Sequence, residues 1–171
     1  MSSYFLAHRI CRGKFALLLL MLVSSACFYQ FDPYADLLTT KEPDTADVLG
    51  TYVLKEQTLT DENLDFLQGK QATLEISANS TFTTTNFPIW LEKTDITDYK
   101  VNKLLSVTGE WKIGKVGSVS SDGNDIKSIW GIHFSGEIDS AGLTGDKPPY
   151  GLIFTYGDPD NGDVMIFEKA E

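Results

Sequence analysis

The chain has 171 residues, 42% hydrophobic and 22% charged, which suits one folded domain and little more. Its formal net charge is -10, and both of its arginines, Arg9 and Arg12, lie in the first twelve residues. A surface this acidic repels nucleic-acid backbone and anionic lipid headgroups, which excludes DNA or RNA binding and requires any membrane attachment to be non-electrostatic. Beyond residue 12 every cation is lysine, so bidentate arginine recognition of phosphate or carboxylate is also excluded.

Residues 1–26 carry the three parts of an export signal. His8, Arg9, Arg12 and Lys14 make a basic start, Phe15 to Val23 an apolar run, and Ser24, Ser25 and Ala26 a small-residue end. Nine apolar residues fall well short of the roughly 20 that a spanning helix needs, so the segment reads as cleaved. Small residues ending directly on Cys27 resemble the lipobox of bacterial lipoproteins. The pattern departs from that family at Ser24, where leucine is usual; Leu22 and Val23 stand one or two places early. The resemblance implies that Cys27 becomes the first mature residue and carries acyl chains. Each buried methylene contributes about 0.8 kcal/mol, and several chains on one residue anchor stably without a basic patch. An ordinary secretory signal beside a free cysteine, and an uncleaved anchor, are the alternatives. Phe28, rather than aspartate, follows the cysteine, which by similarity to Gram-negative lipoprotein sorting implies the periplasmic face of the outer membrane. The other cysteine, Cys11, falls inside the signal, so the mature domain is expected to fold without a disulfide.

Residues 27–47 lack a sustained period and contain Pro33 and Pro43, and are expected to be a tether. Their aromatics, Phe28, Tyr29, Phe31 and Tyr34, could touch the membrane interface or fold back on the domain. From Val48 to the end the chain alternates. Tyr52 and Leu54 share one face of a first strand, and 61–69 is expected to hold one or two helical turns. ATLEIS (72–77) and TFTTTNF (81–87) form a hairpin across an Ala-Asn-Ser turn. Residues 88–103 are expected to be a loop or short helix. In 105–113, Leu105, Val107, Gly109, Trp111 and Ile113 point one way and the polar residues the other. Residues 114–125 read as a turn-rich connection. Ile126, Trp130, Ile132 and Phe134 share a face in 126–134, and 136–149 reads as a long loop. Tyr150, Leu152, Phe154 and Tyr156 share a face in 150–156, and 164–169 closes the chain.

Seven or eight strands without a crossover helix predict an all-β, antiparallel up-and-down barrel or strongly curled sheet over 48–171, with a two-sheet β-sandwich as the alternative. Gly50-Thr51-Tyr52, the Leu74, Ile76, Thr81, Phe82 hairpin and Gly109-x-Trp111 resemble the lipocalin-like group. The resemblance covers 48–169 and implies a barrel with an interior ligand site. It departs from that group in having tyrosine for the opening tryptophan and no terminal helix.

No residue grouping marks a catalyst. His133, the one histidine after residue 27, is expected on the polar face beside Lys127, with no G-x-S-x-G elbow to accompany it. No His/Cys cluster suits zinc. GDPDNGD (157–163) offers Asp158, Asp160 and Asp163 as weak cation candidates. Counting from Asp158, the twelfth position that should be glutamate in an EF-hand is Lys169, so a turn built on Pro159 and Asn161-Gly162 is the plainer reading. SSDGND (120–125) divides the same way. Trp111, Trp130 and Phe154 are the candidate lining for an apolar ligand, against the alternative that they fill the core. GDKPPY (145–150) is a candidate interaction edge.

The expected function is that of an envelope lipoprotein without enzymatic activity. It would be attached to the membrane through its lipid anchor and bind a small apolar ligand or an envelope protein partner. No cofactor is expected. A ligand-free structural or assembly role in the outer membrane, and a hydrolase using unassigned carboxylates, are the rivals.

Overall fold

The computed structural model describes residues 33–60, 64–92, 99–121 and 125–171. The signal segment, Cys27 and the tether as far as residue 32 lie outside the described residues, as does the tip of SSDGND at 122–124.

The described chain forms ten strands: β1 (Gly50–Gln57), β2 (Thr73–Ile76), β3 (Thr81–Thr85), β4 (Phe87–Glu92), β5 (Tyr99–Leu105), β6 (Thr108–Ser121), β7 (Asp125–Phe134), β8 (Ala141–Thr144), β9 (Gly151–Thr155) and β10 (Val164–Lys169). Eight of them make one closed antiparallel ring in the order β1-β10-β9-β8-β7-β6-β3-β2. The two-sheet sandwich is not formed. Neighbours in sequence are neighbours in the ring, because short connections allow only antiparallel return. The exception is β4–β5, a separate hairpin inserted between β3 and β6.

Alternation sets the inside of the ring. Tyr52 and Leu54, Leu74 and Ile76, Phe82 and Thr84, Leu152 and Phe154, and Met165 and Phe167 are buried at every second position, with polar neighbours mostly outside. A bulge between Leu54 and Glu56 shifts the register of β1 on β10 and brings Gln57 into the buried set. Its amide is satisfied locally: Nε2 donates to the Thr60 carbonyl at 2.9 Å and Oε1 accepts from the Thr60 amide at 3.0 Å. No buried side-chain polar atom among the described residues lacks a partner.

Where 88–103 was expected to be a loop or short helix, the β4–β5 hairpin closes one end of the ring. Asn86 takes a left-handed conformation (φ 53°), held by its side-chain amide on the Gln71 carbonyl at 3.1 Å, and turns the chain off the wall. Phe87 then enters the interior, stacking on Phe167 with centroids 5.4 Å apart and meeting Phe154 edge-on at 5.2 Å. Trp90 follows, donating from Nε1 to Met165 Sδ at 3.0 Å and packing edge-on against Phe66. Each such ring pair contributes about 0.5–1.5 kcal/mol beyond its buried area. Phe66 belongs to a 3-10 turn, Asp65–Leu67, which is the helical turn expected in 61–69. At the opposite end a single helical turn, α1 (Thr45–Val48), places Val48 in the core. The Tyr52 hydroxyl donates to its carbonyl at 2.9 Å, and the Lys169 ammonium donates to the Asp47 carbonyl at 2.9 Å.

Two further stretches differ from their expected form. The turn-rich 114–125 is mostly strand, because β6 and β7 continue past the wall as a long arm, and the loop 136–149 contains β8. From Pro33 on, the expected tether is part of the folded unit. Leu37–Thr39 lies in the wall between β7 and β8, which pair directly only at Gly131↔Gly142 and Ile132↔Ala141. The boundary expected at residue 47 therefore falls earlier, since these backbone groups are hydrogen-bonded to the ring.

Candidate functional site

The three candidate lining residues do not form one surface. Trp111 is 7% exposed and belongs to the core, with its indole N–H donating to the Ser77 carbonyl at 3.0 Å. Phe154 is fully inside, within 5.2–6.1 Å of Phe87, Phe134 and Phe167. Trp130 shares the inward face of its strand, as alternation demands, but stands beyond the closed part of the ring. It is half-buried, lies outside the core cluster, and carries the Lys115 ammonium 5.9 Å above its ring. The space around Phe154 is occupied by side chains: Phe82, Phe87 and Phe167 are at most 1% exposed. Sequence reasoning placed Phe87 at the end of a wall strand and gave Trp90 no role. The signal for both was Asn86-Phe87-Pro88, a turn-prone residue and a proline flanking an aromatic.

The carboxylates of 157–163 build a turn. Pro159–Asn161 is a 3-10 turn, Asp158 Oδ1 caps it by accepting the Asp160 amide at 3.1 Å, and Gly162 follows with φ 71°. Burial raises the Asp163 carboxyl above its ordinary value. Among the described residues no group of three or more His, Cys, Asp or Glu side chains is arranged to hold a metal ion.

His133 lies on the outward face of β7, with Lys112 as its cross-strand neighbour. Its Nδ1 lies 2.8 Å from Ser140 Oγ. Among the described residues no partner at the other ring nitrogen turns this pair into an oriented base, and its serine sits on an exposed connection. Two tyrosines are the most strongly perturbed acids: burial, with Asp139 and Tyr99 nearby, raises the Tyr156 hydroxyl far above its ordinary value, and burial alone raises Tyr52. Both stay neutral and act as packing groups with a polar tip.

Two open grooves are lined entirely by described residues. One, at the α1 end, is lined by Ala46, Asp47, Pro148, Pro149 and Lys169 and includes part of the candidate edge 145–150. The other follows the bulged part of β1 beside Leu64, Leu67 and Lys70. Comparison of the chain with family models, curated proteins and solved structures finds no match.

Proposed function

We propose that this chain is an envelope lipoprotein, anchored through acyl chains on Cys27 and acting by contact with another macromolecule rather than by catalysis or by carrying a ligand inside. The observation that carries the reading is the occupied interior. Phe87, brought in by the inserted hairpin, stacks among Phe154 and Phe167 where a carrier would keep open volume. Trp111, the candidate ligand contact, already spends its N–H on Ser77. The lipobox-like run ending at Cys27 supports the anchor, and the outer membrane is its proposed address. The barrel would offer its outer surfaces to an envelope partner.

Metabolic labelling with palmitate tests the anchor: label enters the wild type and is lost in Cys27→Ser. Fatty-acid titration of the purified protein tests the closed interior. Tryptophan emission is expected to stay unchanged, and organic extraction to release no stoichiometric lipid from the barrel. Unlabelled wild type, or saturable quenching of Trp111, overturns the corresponding half of the reading.

A further inference from the structure

The wall of the ring is incomplete between β7 and β8, and the chain fills the gap with its own N-terminal segment. Below the two direct pairs the strands part. The Thr39 amide donates to the Leu143 carbonyl, its carbonyl accepts from the Trp130 amide, and the Leu37 carbonyl accepts from the Gly145 amide, all at 2.9 Å. The Thr39 hydroxyl adds a bond to the Gly145 carbonyl at 2.7 Å, and Thr39 is 2% exposed. Leu38 bridges antiparallel to Thr144, and its side chain lies over Gly142 beside Ile153. A methyl group on Gly142 would stand 3.3 Å from Leu38 Cδ2, so the bare glycine forms the seat. Leu37 points away and is half-exposed. The gap thus receives the chain where it leaves the 3-10 turn Ala35–Leu37 and becomes extended at Leu38, and it reads a bulky aliphatic there and a small hydroxyl after it.

This is strand addition into a sheet, supplied in cis. Withdrawal of the segment leaves the Trp130 and Gly145 amides and the Leu143 and Gly145 carbonyls without their protein partners, which disfavours an empty gap. Lys41 and Glu42, which join the segment to the buried Pro43 and Val48, are exposed, so the join itself is not packed into the core. We propose that the β7–β8 gap is a strand-acceptor slot with an exchangeable occupant: when its own Leu37–Thr39 is displaced, it takes the same segment from a second copy of the chain. The sequence best matched to the slot is the one already in it, and each copy carries one. The inference does not rest on the lipid anchor or on the closed interior.

The test uses the full chain with Thr39→Pro, which removes both the amide donor to Leu143 and the hydroxyl bond to Gly145. A fluorescent peptide of residues 33–42 stands in for the second copy's segment. It is expected to bind the variant at least about tenfold more tightly than the wild type. Amides of Trp130 and Gly145, fast-exchanging in the variant, should slow again when it binds. If Thr39→Pro does not fold, Leu38→Ala, which keeps every backbone bond and loosens only the seat, replaces it. Absence of binding to the folded variant, or equal affinity for variant and wild type, overturns the proposal.

Discussion

β6 and β7 pass through two environments along one pair of strands. Within the ring, Trp111, Ile113, Ile132 and Phe134 face a packed interior, and Ile132 is fully buried. On β7 the same alternation runs on through Trp130, paired with Lys115, and past the irregularity between Lys115 and Gly117 into the arm. Trp130 is half-covered by a lysine, and Ile126 is 73% exposed. The period of side chains along β7 is the same in the two parts, while on β6 the irregularity shifts it by one residue. What differs is whether other strands close the space opposite, and that depends on pairings far away in the sequence.

The sharpest way to break this comparison is to remove a large apolar side chain from the interior and one from the arm. Phe87→Ala is expected to lose about 3–5 kcal/mol, because the stacked aromatics cannot collapse into the space left. Ile126→Ser should stay within about 0.5 kcal/mol. Denaturant melts of the two variants measure both, and a comparable loss for Ile126 would mean that the arm is covered. Glycines give the next largest contrast. A methyl at Gly109 would meet the Phe82 ring at 2.6 Å, whereas at Gly117 the nearest atom is Ile129 Cδ1 at 3.4 Å. Gly109→Ala should cost about 1–3 kcal/mol, and Gly117→Ala should leave the melting temperature nearly unchanged. The tryptophans follow. Trp111→Phe strands the Ser77 carbonyl and should cost about 1–2 kcal/mol. Lys115→Ala removes only the exposed cation over Trp130 and should cost at most about 1 kcal/mol, with a shift in Trp130 emission as its readout.

The smallest expected effect is electrostatic and lies at the turn between β9 and β10. Burial holds the Asp163 pKa above its ordinary 3.8, so the folded state binds the proton more tightly than the unfolded chain does. Its contribution to stability is therefore full below pH 3.8 and is lost as pH rises through the raised value. Asp163→Asn should melt slightly higher than wild type at neutral pH, and the difference should vanish in acid. A difference that grows in acid would mean that the carboxylate has an unseen cationic partner.

The ring's strands were legible because each buries one face: Leu74 and Ile76, or Leu152 and Phe154, can be read off at a period of two. The β4–β5 hairpin was hidden by Pro88 and by the polar run that follows it, features that signal a loop unless tertiary packing of Phe87 and Trp90 outweighs them. Segment 33–47 was read as a tether because a 3-10 turn followed by one bridging residue shows no period, and its hydrogen bonds to the ring go to partners about a hundred positions away. The candidate site was legible only residue by residue. Alternation gave the correct face for Trp111, Trp130, Phe154 and His133, but not that Trp130 lies past the point where the ring closes.

The ring is shut by its first and last strands, Tyr52 opposite Lys169, with the Ala170 amide donating to the Thr51 carbonyl. β1 therefore keeps one unpaired margin until β10, far along the sequence, is in place to cover it. Pairings of such long sequence separation also place folding on the slow side for a chain of this size.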